Sequence, residues 1–234
     1  MKSVKILINK FIIILFIIIF VLYIFNNQEN MIINNNYTQD RISDALLYAK
    51  SFIGIQYRWF KETDKVQGDD KIWAANGPII TAEEIKEKDK SINCVGLINL
   101  IRRYMRLSIP GLDGKEGEIG LLFPGTTWTW FHYLKRTNRL EKINFNTKYD
   151  IGTLLISDFK NFEKPGHVAI IISKHGKNVK EQYILHSYSY YNYKDSMNMN
   201  NVGITGIQKM DNDNILEWFE VTHICLPENW LLKD

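Results

Sequence analysis

Two cysteines in 234 residues are too few for a disulfide framework. Cys94 and Cys225 are also too far apart for a zinc knuckle. With no H-x-x-x-H or C-x-x-C spacing, the sequence calls for no metal and no cofactor. An excess of either charge is lacking as well: the net charge is +3 and the basic residues are scattered, which argues against nucleic acid as a partner. No repeat at a fixed period is visible. What is present, 45% hydrophobic and 24% charged, suits one packed globular domain rather than a disordered chain.

The longest apolar run, Phe11 to Phe25 (FIIILFIIIFVLYIF), follows Lys2, Lys5 and Lys10 and is itself uncharged. At the helical rise it reaches roughly 22 Å, short of the ~30 Å hydrocarbon core, so spanning requires local thinning. No A-x-A-like site follows it, which favours an uncleaved transmembrane anchor over a secretory signal peptide. The organisation expected is a basic tail at 1–10, a membrane anchor at 11–25, an asparagine-rich linker at 26–38 and one domain at 39–234. The basic flank predicts a single-pass protein with a short cytoplasmic N-terminus and its domain on the extracytoplasmic or lumenal side.

Within the domain, Asp40 caps a helix whose apolar residues Ile42, Ala45, Leu46, Ala49 and Phe52 share one face. Residues 61–90 are charged, contain Gly68, Gly77 and Pro78, and read as a surface insertion. From Cys94 the apolar spacing gives a second helix of about 14 residues, ending before Pro110-Gly111. The aromatic stretch Phe123 to Leu134 suggests a short third one. Then the pattern changes to five short strands: Ile151–Ser157, His167–Ser173, Gln182–Ser189, Val202–Ile207 and Phe219–Leu226. Helices first and a meander afterwards indicate an α+β fold with a five-stranded antiparallel sheet.

Cys94 at the start of a helix is the most informative position. Unpaired amides and the helix dipole favour thiolate there, although a small buried apolar residue is the alternative reading. Two histidines join it through the sheet. If Gly176-Lys177 is a two-residue type II′ loop, His167 lies directly opposite His186 on one face, close enough for the rings to hydrogen-bond. A histidine that takes a thiol proton and a second polar group that orients it complete a nucleophilic triad of Cys94, His167 and His186. A satisfied half-buried histidine pair is the alternative. His132, His175 and His223 are read as structural, and Cys225 as core.

These residues resemble the NlpC/P60 family of papain-like cysteine peptidases and amidases over roughly Asp40 to Pro227. The segment Gly54-Ile55-Gln56-Tyr57-Arg58-Trp59 is similar to that family's G-x-P-Y-x-W, and Asn93-Cys94-Val95-Gly96 to its D-C-S-G. Gly152-Thr153-Leu154, Gly166-His167-Val168-Ala169-Ile170 and Leu185-His186-Ser187 match its G-D-L, G-H-V-G-I and I-H-A strands in order. The resemblance implies a papain-like fold and a thiol hydrolase that cleaves an amide bond. Cys94 is then the nucleophile, His167 the base, His186 its orienting residue and Tyr57 a support for substrate or oxyanion. Peptide, peptidoglycan-like or lipid-amide substrates follow; a lipid-directed acyltransferase or thioesterase and a non-catalytic binding module are the alternatives. Asn93 and Val95 depart from the family's aspartate and serine, and Phe60-Lys61 from its paired glycines. The resemblance therefore carries the chemistry further than the substrate.

Overall fold

The computed structural model describes residues 17–24, 38–57, 81–87, 91–111, 125–158, 166–188, 203–210 and 219–234. The chain divides into two units, Met1–Arg41 and Ile42–Asp234. In the first, residues 17–24 form an exposed helix of roughly 12 Å at ~1.5 Å per residue. Among the described residues no helix is long and apolar enough to cross a membrane, which corrects the expectation of an N-terminal transmembrane helix. Residues 11–16 and 25, and most of the linker at 26–38, lie outside the described residues.

The second unit is α+β, built on one antiparallel sheet. Its strands are β1 (Gln56–Tyr57), β2 (Glu141–Lys142), β3 (Leu154–Ser157), β4 (His167–Ile171), β5 (Tyr183–Tyr188), β6 (Gly203–Lys209) and β7 (His223–Cys225). They run in the order β1-β6-β5-β4-β3-β7-β2, so the sheet has seven strands rather than five. Of the two further strands, β1 lies in Gly54–Phe60, which patterning reads only as a turn or short extended piece, and β2 is missed; both are two residues long and sit at the edges, too short to show an alternating pattern. The fifth expected strand shrinks to His223–Cys225 because Glu220, at φ 42°, breaks the extended chain before it.

Each face of the sheet carries a core. Leu154, Ile156, Val168, Ile170, Leu185 and Cys225 pack against the helices, while Leu155, Ala169, Ile171, Ile184 and Ile224 alternate onto a second core with Phe219, Val221 and Met210. The helix at 38–51 buries Ile42, Ala45, Leu46 and Ala49, as the spacing predicts. Part of the supposed surface insertion is core. Thr81 and Glu84 form a reciprocal capping box (2.7 and 3.2 Å) that starts the helix Ala82–Glu87, and Ala82 and Ile85 are buried. The remainder, 61–80 and 88–90, lies outside the described residues.

The cysteine helix, Cys94–Tyr104, is central and buried from Cys94 to Arg102. It is shorter than its apolar pattern suggests, because Arg106 adopts a left-handed conformation (φ 58°) and the amide of Leu107 turns back to the carbonyl of Arg102 at 2.9 Å. Its two buried polar side chains are fully engaged. Asn99 donates to the carbonyl of Gly125 (2.9 Å) and accepts from the Trp130 indole (2.7 Å), which ties on the aromatic helix Thr127–Arg136. Arg102 gathers the carbonyls of Ser108, Trp230 and Lys233 and the carboxylate of Asp234. This locks the axis of the helix, and with it the position of its first residue, against both ends of the domain's contacts.

Candidate active site

The start of the cysteine helix is held at a gap in the sheet. Strands β4 and β5 pair at Ile170↔Leu185 and Ile171↔Ile184, and the pairing stops there, while β4 continues to pair with β3 and β5 with β6. The amide of Ile172 bonds to Tyr183 (2.9 Å), so by alternation the amide of Val168 also faces β5. In a continued ladder it would meet Ser187. Instead the amide of Val168 faces the Cys94 sulfur, whose charged form it favours, and the Ser187 hydroxyl donates to the carbonyl of Ile92 at 3.0 Å. Ile92 is fixed further by a parallel bridge to Tyr57 and by its amide on the carbonyl of Gln56 (3.0 Å).

Asn93, where the resembling family has aspartate, caps the helix: its side-chain oxygen accepts from the amide of Gly96 at 2.7 Å. Cys94 is therefore the first helical residue. Besides Val168, the amides of Val95 and of Cys94 itself and the Thr127 hydroxyl favour the charged form of its sulfur. Thr127 opens the aromatic helix, so two helix N-termini converge on the thiol. Burial outweighs them. The thiol is 4% exposed and is pushed up to about 11, chiefly by desolvation, so at neutral pH it is an uncharged S–H.

His167 and His186 come together. His167 Nε2 lies 2.9 Å from His186 Nδ1, with the rings edge to face at 5.2 Å. The expected register is nevertheless corrected: Ile170 faces Leu185, not Tyr183, a slip of two residues from direct opposition. The residues between the strands are not a two-residue loop. They include the 3₁₀ turn Val179–Glu181, capped by Asn178, and Gly176 stands at φ 98° where a side chain would strike Glu181. An even slip keeps both histidines on their original face, so the rings meet diagonally instead of head-on. Phe219 meets His167 edge-on at 4.6 Å and Tyr188 stacks on His186 at 4.4 Å. Burial, and for His167 the neighbouring ring, hold both well below the ordinary imidazole value, His186 at about 3.

Cys94 and the imidazole pair thus approach the same point of β4 from two sides. The sulfur meets the main chain at Val168, which belongs to the helix-side core, whereas His167 packs on Phe219 of the opposite core. Among the described residues the hydrogen bonds to the thiol come from amides and from Thr127, not from an imidazole. Tyr57 is buried in β1, paired with Gly203 and bridged to Ile92. Cys225 is core, its thiol pushed by burial to about 12. Of the other histidines, His175 is exposed in the loop after β4, while His132 lies 3.8 Å from Asp158 and His223 packs on Phe131.

Sequence reasoning missed two contributors. Thr127 reaches the thiol only because the Asn99–Trp130 bond docks the aromatic helix, and no local signal announces that contact. Gln208 is the other: its side-chain oxygen lies 3.3 Å from His186 Nε2. Alternation along β6 puts it on the histidine face, but only a known β5–β6 register could have selected it. Comparison with family models, with curated proteins and with solved structures gave no match.

Proposed function

We propose that the chain is a papain-like thiol hydrolase that cleaves an amide bond through Cys94, His167 and His186. The observation that carries this reading is the gap between β4 and β5, where the first residue of a helix sets its thiol against the amide that follows a histidine already hydrogen-bonded to a second histidine. At rest all three groups are neutral. Reaction requires the sulfur to leave the Val168 amide and meet the imidazole of His167, the neighbouring residue of β4. His167 then takes the thiol proton as sulfur attacks the carbonyl carbon, and negative charge develops on the carbonyl oxygen. The amides of Cys94, Val95 and Val168, released from the sulfur, are the donors closest to that charge. Collapse expels the amine with the proton from His167 and leaves a thioester, which water hydrolyses with His167 as base. Tyr57, bridged to Ile92, lines the approach beside the cysteine.

A second reading, a binding module with an inert thiol, is favoured by one observation: Cys94 is buried and held at about 11. Alkylation with iodoacetamide across pH separates the two. Catalysis expects Cys94 to react below its resting value in a manner lost in His167→Ala, and expects an acyl adduct on Cys94 when peptide, peptidoglycan-fragment or lipid-amide substrates are quenched in acid. Reaction only near pH 11, indifferent to His167→Ala and without an adduct from any of these, would leave the binding module.

A further inference from the structure

Strands β5 and β6 form the longest ladder in the sheet, six pairs from Tyr183↔Lys209 to Tyr188↔Ile204. It places Gly206 directly opposite His186 and Gln208 two residues along, on the same face. Gln208 reaches the ring diagonally, its Oε1 3.3 Å from Nε2. We propose that Gln208 is a positioning residue that sets the direction of the hydrogen bond between His186 and His167. This rests on the thiol-hydrolase reading for its purpose, but its physical content is separate.

An amide oxygen can only accept, so Gln208 Oε1 places the proton of a neutral His186 on Nε2. Its Nδ1 then carries the lone pair and accepts from Nε2–H of His167 across 2.9 Å. A neutral His167 with its proton on Nε2 carries its own lone pair on Nδ1. That is the nitrogen able to take a proton from a thiol. Were the glutamine amide turned to donate, every link would reverse and His167 would present Nδ1–H, which cannot act as a base. Both rings are almost wholly buried, at 6% and 1% exposed, so the protein rather than water selects the direction.

Nitrogen-15 spectra of histidine-labelled full-length protein read the tautomer of each ring directly. The expected result is Nε2–H on both His167 and His186 in the wild type. Gln208→Glu, which can only accept, should retain both. Gln208→Met, similar in length and without an acceptor, should shift His186 toward Nδ1–H and His167 with it. Nδ1–H on His186 in the wild type, or tautomers unchanged in Gln208→Met, would overturn the assignment; if Gln208→Met does not fold, the wild-type and Gln208→Glu spectra decide. An acyl adduct on Cys94, sought in the same wild-type preparation, tells the two failures apart. Expected tautomers without an adduct sink the hydrolase and keep Gln208 as the director of that hydrogen bond, whereas an adduct with reversed tautomers does the opposite.

Discussion

Acidification from pH 7 to pH 5 should cost the folded state about 2 kcal/mol through His186, with the buried His167 acting in the same direction. Burial holds His186 at about 3 and, together with the neighbouring ring, holds His167 in the same direction, well below 6.5. In the unfolded chain each recovers an ordinary value of ~6.5. Below that pH the unfolded state binds protons that the folded state refuses, so stability falls by up to ~1.4 kcal/mol per unit for each ring. For His186 the difference between pH 7 and pH 5 comes to about 2 kcal/mol, and His167 adds to it in the same direction. The stabilisation is present above ~6.5 and is lost as pH falls toward the folded-state values. Asp and Glu, at ~3.9 and ~4.3 when unperturbed, titrate mostly below this window. Urea unfolding at half-unit steps measures the slope, and the double variant His167→Gln/His186→Gln supplies the control. A wild-type change under ~1 kcal/mol, or a double variant that keeps the full slope, would refute the reasoning.

Three further outcomes follow from single residues. Asn93→Ala, which leaves the Gly96 amide without its 2.7 Å acceptor, should lower urea stability by about 1–2 kcal/mol, while Asn93→Ser stays within a few tenths because serine also caps. Arg102→Met strands the carbonyls of Ser108, Trp230 and Lys233 in a buried site and should cost at least ~3 kcal/mol in the same assay. Arg106→Gly should raise the urea midpoint, by about 1 kcal/mol in stability, because arginine at φ 58° pays the Cβ penalty that glycine avoids. A neutral or destabilising result there would mean that the side chain of Arg106 makes a compensating contact.

How much of the fold the sequence discloses depends on how local each cause is. The face of helix 38–51, the helix start at Cys94 and the longer strands arise from neighbours within a turn or a pleat, and they were legible. Helix length was not. The cysteine helix stops at a left-handed arginine, a residue with no stop signal, and the apolar residues beyond it continue into the core as irregular chain: Met105 and Ile109 are buried without being helical. The inner location of Ala82 and Ile85 was equally hidden, since a charged composition around them describes the solvent side of a short helix and says nothing of the other side.

The histidine pair shows why two rings can be expected to meet from an incorrect register. Strand side chains repeat every two residues, so an even slip preserves the face and changes only whether partners are opposite or diagonal; an odd slip would have separated the rings altogether. The β4–β5 ladder ends at Ile170, and the Val168 amide beyond it is turned to the Cys94 sulfur rather than to Ser187. Cys94 is set against the main chain of Val168, the residue after His167, and that adjacency along β4 is the physical ground for proposing that thiol and histidines act together.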